Sequence, residues 1–318
     1  MSERGMLSRL AESLYWIGRY IERAEHMSRL SDVMLNATLD QNDAAVEVAR
    51  VALAAVGDPE NHLADKAHLE AVQAMIFDRD DNGSVVTSLA RARENARQVR
   101  DQITTETWER LNMLYLRVTD SYAENQFAQA SSSFLHNIIA DLHLFKGAAD
   151  ATMSHGEGWG FLMLGVYLER AQLIARLLDA CFGDKVDDAR LSDHLAQMAV
   201  LRMACALEPY LRAYTADIQP RYLLEFLLFD QEFPRSIRFA TARIEEHLTK
   251  LARHAEATGR AGPERLAGRL SARLEFADMD EAQGPSAILG AVAAECSRIH
   301  LAIYETFVAY PLEQRLPA

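Results

Sequence analysis

The chain has 318 residues, a length that fits one large domain or two of ordinary size and allows a sizeable buried core. Hydrophobic residues make up 49% and charged residues 25%, which is typical of a soluble globular protein. The formal net charge of −13 argues against a nucleic-acid binder that works by neutralising phosphates.

The cysteines and the amino terminus indicate the compartment. Cys181, Cys205 and Cys296 are odd in number and form no Cys-x-x-Cys motif, which favours reduced thiols. The first residues lack the apolar core of a signal peptide, and no run of about 18 apolar residues predicts a membrane span. We therefore expect a cytoplasmic protein without a membrane segment.

Apolar residues spaced three and four apart predict helices along the whole chain. In the first part, the predicted helices cover residues 6–39, 44–56, 66–77, 85–103, 106–121 and 125–153. After a glycine-rich break at residues 155–160 more helices follow, with Ser84 and Ser192 as expected caps. The prolines that fit a first helical turn are Pro220, Pro234, Pro263 and Pro285. No sustained alternation of Val, Ile and Thr predicts a strand, so the expected fold class is all-α.

A segment of the first helix recurs 147 positions later. The shared residues are Gly18, Tyr20, Glu22, Arg23 and Ala24 in the first copy and Gly165, Tyr167, Glu169, Arg170 and Ala171 in the second. A second signature, Glu-x-x-Arg-x-aliphatic-Arg, begins at Glu94 and again 138 positions later at Glu232. These matches predict a helical bundle of two related halves, about 1–153 and 154–318, packed about a pseudo-two-fold axis.

The repeated segment also predicts how the helices meet. A glycine inside a helix costs about 1 kcal/mol relative to alanine, so Gly18 and Gly165 are predicted to mark close helix crossings. Glu22, Glu25 and Arg29 lie beside the apolar stripe, where charges are costly unless they are paired. One interpretation is an internal salt-bridge network that fixes the helix register. The other is a site at which some of these groups face a ligand.

An arginine-lined face is predicted on the helix after Ser84, because Arg93, Arg97 and Arg100 are spaced four and three apart. Together with Asn95, this face suits a carboxylate or phosphate ligand. The alternative is that these arginines neutralise the glutamates of the repeated helices inside the bundle.

Other chemistry has little support in the sequence. Glu22 and His26 are one helical turn apart, but the second copy has Leu173 in place of His26, so a metal site lacks ligands. No glycine-rich phosphate loop follows a strand. If the two repeated helices meet, Glu22 and Glu169 could face one another, with at least one pKa raised by the like charge, and perform acid/base chemistry. The flanking arginines would work against that rise.

Several segments together resemble one known family. They are residues 7–25, 93–100, 106–108, 158–171 and 226–236. The family is that of the bacterial alpha-E proteins, an alpha-helical domain with a characteristic Glu-Arg motif, and the resemblance extends over nearly all of residues 1–318 as a single domain. The resemblance implies an association with circularly permuted ATP-grasp-type ligases and transglutaminase-like peptidases. It therefore implies a role in making or handling amide bonds of peptides or amino acids.

The resulting hypothesis is an accessory protein of a peptide or amino-acid amide-ligase system. It would bind the ligase or an anionic peptide through its Glu-Arg clusters, without a cofactor of its own. The candidate binding residues are Tyr20, Arg23, Asn95, Arg97, Arg100, Tyr167, Arg170 and Arg235. The alternatives are an enzyme that uses Glu22 and Glu169 as acid and base, and a purely structural interaction protein.

Overall fold

The computed structural model describes residues 8–39, 43–57, 63, 66–183, 193–214, 217–252, 262–277 and 284–308. Within these residues every regular element is a helix, so the fold class is all-α, as predicted. The helices are α1 (Ser8–Leu39), α2 (Asp43–Val56), α3 (His68–Phe77), α4 (Val85–Gln98), α5 (Thr105–Thr119), α6 (Ala123–Gln129), α7 (Ser131–Thr152), α8 (Glu157–Phe182), α9 (His194–Met203), α10 (Leu207–Ala213), α11 (Pro220–Phe229), α12 (Ile237–Ala252), α13 (Pro263–Glu275) and α14 (Gly284–Ile303), which a π-helical turn (Tyr304–Val308) extends. The predicted start at residue 6 and the predicted cap Ser192 lie outside the described residues.

Caps and prolines set several helix starts where the sequence predicts them. Ser84 Oγ accepts a hydrogen bond from the backbone N–H of Thr87 at 3.2 Å, so Ser84 caps α4. Pro220 and Pro263 begin α11 and α13, where a missing N–H costs little. The predictions for these three residues are confirmed.

Pro234 is an exception, because it lies in the turn before α12 and not in a first helical turn. Ser236 caps α12 instead: its Oγ accepts a hydrogen bond from the backbone N–H of Phe239 at 3.0 Å. The prediction for Pro234 was therefore wrong, since Pro234 lies three residues before the first residue of α12. Its carbonyl group is left available for a side-chain donor.

Two predicted helix boundaries were also wrong. The helix expected over residues 125–153 is divided into α6 and α7 at Ala130, whose φ is −150°. The hydroxyl of Ser131 donates to the carbonyl of Phe127 at 2.7 Å, a local bond that competes with the helical backbone pattern. α4 ends at Gln98 and not near residue 103, because the backbone leaves the helical conformation at Val99, whose φ is −117°.

α1 lies at the centre of the molecule. Its most extensive contacts are with α8 and α4, and it also packs against α7, α2 and α3. The apolar stripe predicted for this helix consists of Leu10, Leu14, Ile17 and Ile21. The last three are fully buried, and Leu10 is partly buried against the core. α8 is in turn covered by α12, α14 and α2, so the two repeated segments occupy the middle of the core.

The glycines of the repeated segments mark the crossing of α1 and α8. A Cβ atom added to Gly18 would lie 2.0 Å from the carbonyl oxygen of Leu162, and one added to Gly165 would lie 2.0 Å from the carbonyl oxygen of Tyr15. Leu162 and Tyr15 each precede the glycine of their own helix by three residues, so the contact is reciprocal. Only residues without a side chain allow such an approach, and the predicted close crossing is confirmed.

The helices around the crossing are paired in a similar way. α1 contacts α4 and α7, whereas α8 contacts α12 and α14. Two related halves would give this pattern. The internal duplication, the boundary near residue 153 and the pseudo-two-fold axis stay predictions.

α14 bears on the expected absence of a membrane segment. Among the described residues, the stretch Gly284–Val308 alone has the length and apolar composition of a membrane span, and 28% of its most apolar window is buried. Mostly buried core helices of soluble proteins meet the same criterion, whereas α14 packs against α8 and α13 on one side and leaves most of this window exposed. The structure is consistent with a soluble protein, and the cytoplasmic location stays a prediction.

Candidate functional site

The Glu-Arg segments of α1 and α8 meet in a buried cluster of ion pairs, which we call the Glu–Arg centre. Its members are Arg19, Glu22, Arg23, Glu25 and Arg29 of α1, Lys146 of α7, Glu169 and Arg170 of α8, and Arg235 of the turn before α12. Within the described part of the chain, six cations thus surround three carboxylates. The internal salt-bridge network considered from the sequence is present in the structure.

Glu22 is held by three cations from three parts of the chain. Arg170 binds it with two bonds, as Nε donates to Oε1 at 2.7 Å and Nη2 donates to Oε2 at 2.9 Å. Lys146 Nζ donates to Oε2 at 2.6 Å, and Arg235 Nη1 donates to Oε1 at 3.1 Å. Arg170 also donates to the carbonyl of Pro234 at 3.0 Å. This one carboxylate therefore ties α1 to α7, to α8 and to the turn before α12.

Glu25 extends the network along α1. Nε and Nη2 of Arg29 donate to its Oε1 at 2.9 and 2.7 Å, which is a pairing between residues one helical turn apart. Lys146 and Arg235 also donate to Glu25. Lys146 and Arg235 consequently bridge Glu22 and Glu25 and keep both carboxylates in one network.

Glu169 is neutralised by two arginines of α1. Arg23 Nε donates to Oε1 at 2.7 Å, and Arg19 Nε donates to Oε2. The remaining nitrogens of Arg19 donate to the hydroxyl of Tyr15 and to Oε1 of Gln172, each at 2.7 Å. Each of the three guanidinium nitrogens of Arg19 therefore donates a hydrogen bond within the protein.

The two Glu-Arg pairs exchange partners across the crossing. Arg170 of α8 binds Glu22 of α1, whereas Arg23 of α1 binds Glu169 of α8. Each arginine also lies over the tyrosine three residues before it, at distances of 5.6 Å for Arg23 on Tyr20 and 5.2 Å for Arg170 on Tyr167. The ring faces add a favourable electrostatic contact and keep the guanidinium groups in place.

Burial and charge act in opposite directions on the carboxyl groups. Glu22 and Glu169 are 0% and 2% exposed, and burial by itself would raise the pKa of each. The surrounding cations outweigh it and hold the pKa of both carboxyls below the ordinary value. The expectation of a pKa raised by like charge was therefore wrong, because each carboxylate has arginine as its immediate neighbour.

Four members of the centre were not among the candidate site residues, namely Arg19, Glu25, Arg29 and Lys146. Of these, Arg19 and Lys146 were not considered for the ion-pair network either. Arg19 has Val166 as its counterpart in the second copy, so the comparison of repeats did not select it. Lys146 lies one turn after His143 on α7, and His143 Nε2 is 3.3 Å from Oε1 of Glu25. The sequence offered one signal for Lys146: lysine is rare in this chain, and Lys146 is one of only four.

The arginine-lined face of α4 lies outside the centre. Arg97 pairs with Glu94 at the surface, with 2.7 Å between Nη2 and Oε1. Arg100 lies over the ring of Trp108 at 5.4 Å, and Asn95 donates to the backbone of its own helix. The interpretation that the α4 arginines neutralise the glutamates of the repeated helices was wrong, because the centre has its own cations. Their binding of an anion stays a prediction.

Access to the centre is limited. Arg23 lines a cavity of about 620 Å³, whereas Arg170 is 9% exposed. The carboxylates of Glu22 and Glu169 are buried beneath the cations that bind them. Among the described residues, no three or more His, Cys, Asp or Glu side chains are arranged to hold a metal ion. The centre as it stands can hold helices together, and it offers no free carboxylate to a substrate.

His26 is a further buried polar residue beside the centre. It is 1% exposed, and within the described part of the chain neither ring nitrogen has a hydrogen-bond partner. Burial, with a contribution from Arg235, lowers its pKa to about 4. The folded protein therefore keeps His26 neutral, although its counterpart Leu173 shows that an apolar residue fits the equivalent position.

We expect His26→Leu to remove part of the acid sensitivity of folding. The folded pKa of about 4 lies below the ordinary value of 6.5, so the stabilisation is complete above pH 6.5 and is lost as the pH falls towards 4. Between pH 7 and pH 5 the wild type should lose roughly 2 kcal/mol more than the variant. Urea unfolding at both pH values measures the difference, and equal losses in the two proteins would contradict it.

Comparison with known proteins places the chain in context. A family model described as "A predicted alpha-helical domain with a conserved ER motif" matches residues 6–308. An uncharacterized protein of Mycobacterium bovis is 28% identical over 306 residues, and one of Mycobacterium tuberculosis (strain H37Rv) is 27% identical over 306 residues. Each alignment covers 88% of this chain and 33% of the relative, so the chain spans about a third of the length of these relatives. No solved structure matches.

Proposed function

The chain belongs to the Alpha-E family, and we propose that it is a non-catalytic accessory protein of an amide-ligase system, which binds a partner protein. The partner is an ATP-grasp-type ligase or a transglutaminase-like peptidase, as the family resemblance implies. The observation that carries the proposal is the closure of the Glu–Arg centre, whose carboxylates are buried and bound by cations of the same chain. The centre positions the helices, and the partner binds to the surface that they form.

The state of Glu22 and Glu169 argues against the catalytic alternative. A general acid needs a proton near neutral pH, and a general base needs a free lone pair within reach of the substrate. The pKa of each carboxyl is held below the ordinary value, so neither carries a proton at neutral pH. Their oxygens accept hydrogen bonds from arginine and lysine and are shut off from solvent. The pair fits a structural role better than acid/base chemistry.

The length of the relatives supports a role in association. In the mycobacterial proteins the matching segment is one third of a longer chain, so it lies next to further segments of the same polypeptide. A helical unit inside a longer chain has neighbouring segments to contact, and we propose that the corresponding surface of this chain contacts a separate partner. The net charge of −13 favours a partner with a basic contact surface over a nucleic acid.

We expect the chain to co-purify with an ATP-grasp-type ligase of its own bacterium when the two are expressed together. The complex should elute as one species, and calorimetry should give a Kd of roughly 1 μM or tighter, in the range of specific protein complexes. Because the contact is electrostatic in part, the association rate should fall as salt is added.

The transglutaminase-like peptidase is the second partner to be tested in the same way. An unrelated ATP-grasp enzyme of similar size serves as the control for non-specific association. If neither partner co-elutes with the chain and neither gives heat on mixing, the proposed function is wrong.

A further inference from the structure

We propose that the cavity between the first half of α8 and α12 binds an uncharged peptide segment through a large aromatic or apolar side chain. The cavity has a volume of about 840 Å³, within the range of small-molecule and cofactor sites. It is separate from the ion pairs of the Glu–Arg centre, and no residue of it except Tyr167 was a candidate from the sequence.

The walls of the cavity are formed by aromatic rings. Trp159 is stacked on His155 with 4.3 Å between ring centroids, and Tyr167 is stacked on His247 with 6.0 Å. Phe239 is tilted against Tyr167 at 6.2 Å. Aromatic walls favour a flat or bulky apolar group, since such rings pack well face to face or edge to face.

Polar atoms on these rings can donate and accept hydrogen bonds with an amide group. Among the described residues, no protein group is hydrogen-bonded to the hydroxyl of Tyr167, the indole N–H of Trp159 or the ring nitrogens of His247. Burial lowers the pKa of His247 to about 4, so its ring is neutral at pH 7 and has one donor and one acceptor. A peptide group presents one N–H and one C=O, which match this mixture of donors and acceptors.

The charges at the cavity favour an uncharged ligand. The acidic residues among its lining are Asp150, Glu157 and Glu246, and the basic ones are Arg243 and Lys250. Glu246 accepts bonds from both Arg243 and Lys250, so these cations are already paired. A phosphate-bearing ligand would meet more carboxylates than cations and would be disfavoured.

The position of Tyr167 provides a matched control. Its counterpart in the first copy, Tyr20, also lies under an arginine, but it is 9% exposed and stacked on Trp16 at 5.3 Å. Tyr167→Phe removes a hydroxyl group from the cavity, whereas Tyr20→Phe removes one from a packed helix surface. Both variants keep the tyrosine ring that lies under an arginine, but only Tyr167→Phe changes the lining of the cavity.

The purified chain is titrated with N-acetyl-phenylalanine amide and, separately, with N-acetyl-glycine amide. Binding is measured by calorimetry and by the NMR signals of the tryptophan indole N–H groups. We expect the phenylalanine compound to bind at least tenfold more tightly than the glycine compound. Tyr167→Phe should weaken that binding by about three- to tenfold, the effect of one hydrogen bond. Tyr20→Phe should bind as the wild type does.

A second variant keeps the test decisive if Tyr167→Phe proves unstable. Met163 lines the same cavity, and Met163→Trp should place a bulky ring in it and weaken binding of the phenylalanine compound at least tenfold, while the Tm shows that the protein is folded. Equal binding of the two compounds, tighter binding of ATP than of the phenylalanine compound, or unchanged binding by Met163→Trp would each overturn the proposal. The assay contains no ligase, so its result is independent of the proposed partner.

Discussion

Glu22→Gln is expected to lower the free energy of unfolding by about 3–5 kcal/mol, the range found when one partner of a buried ion pair is removed. Glutamine keeps the shape of the side chain but removes the charge that Arg170, Lys146 and Arg235 share. Three cations would then remain near one another in a buried region, and one carboxylate, that of Glu25, would be left to neutralise Lys146 and Arg235. Urea unfolding at pH 7, monitored by circular dichroism, measures the loss.

The matched control is Glu94→Gln. Glu94 forms a solvent-exposed ion pair with Arg97, in contrast to the buried ion pairs of Glu22. Its substitution should leave the unfolding midpoint unchanged, because exposed pairs of this kind contribute little. If Glu22→Gln were as stable as the control, the Glu–Arg centre would have no structural role and its carboxylates would again be candidates for chemistry.

Gly165→Ala is expected to destabilise the fold by about 3 kcal/mol, at the upper end of the usual cost of overpacking a core. The new Cβ would lie 2.0 Å from the backbone oxygen of Tyr15, and backbone cannot move aside as a flexible side chain can. α1 and α8 would have to separate, which would also lengthen the ion pairs across the crossing. Gly18→Ala should have a similar effect, since it meets the backbone of Leu162 in the same way.

Gly147→Ala is the control for this second prediction. Gly147 lies inside α7, and a Cβ atom there meets nothing within 4 Å. Alanine should stabilise the helix by about 1 kcal/mol, as expected for an unobstructed helix interior. Thermal unfolding of the three variants separates the two effects, and a stable Gly165→Ala protein would show that the close crossing is not needed.

The two copies of the Glu-x-x-Arg-x-aliphatic-Arg signature illustrate the limit of reading a pattern along the chain. Arg235 of the second copy binds Glu22 and Glu25 in the centre, whereas Arg97 of the first copy binds Glu94 at the surface. The sequences are alike, but Arg235 lies in a turn that approaches α1, while Arg97 lies on a regular helix with its side chain towards solvent. The local motif was the same and the packing around it was different.

The cavity beside α8 could not be found from the sequence for a related reason. Its aromatic residues belong to three separate stretches, and each taken alone resembles an ordinary core aromatic. Trp159 lies near the start of α8 and Phe239 near the start of α12. Only the packing of α12 on α8 brings the rings together around an open volume.

The sequence by itself determined the all-α class, most helix starts, the apolar stripe of α1 and the close crossing at Gly18 and Gly165. These features depend on residues within a few turns of one another, through helical periodicity, capping and the absence of a side chain. The sequence indicated that Gly18 and Gly165 each mark a close crossing, but only the packing of the helices brings the two together. The tertiary structure decided which cations neutralise Glu22, and these lie 124, 148 and 213 positions away. Pairing over such separations depends on how whole helices pack, because a side chain reaches only a few ångströms from its own backbone.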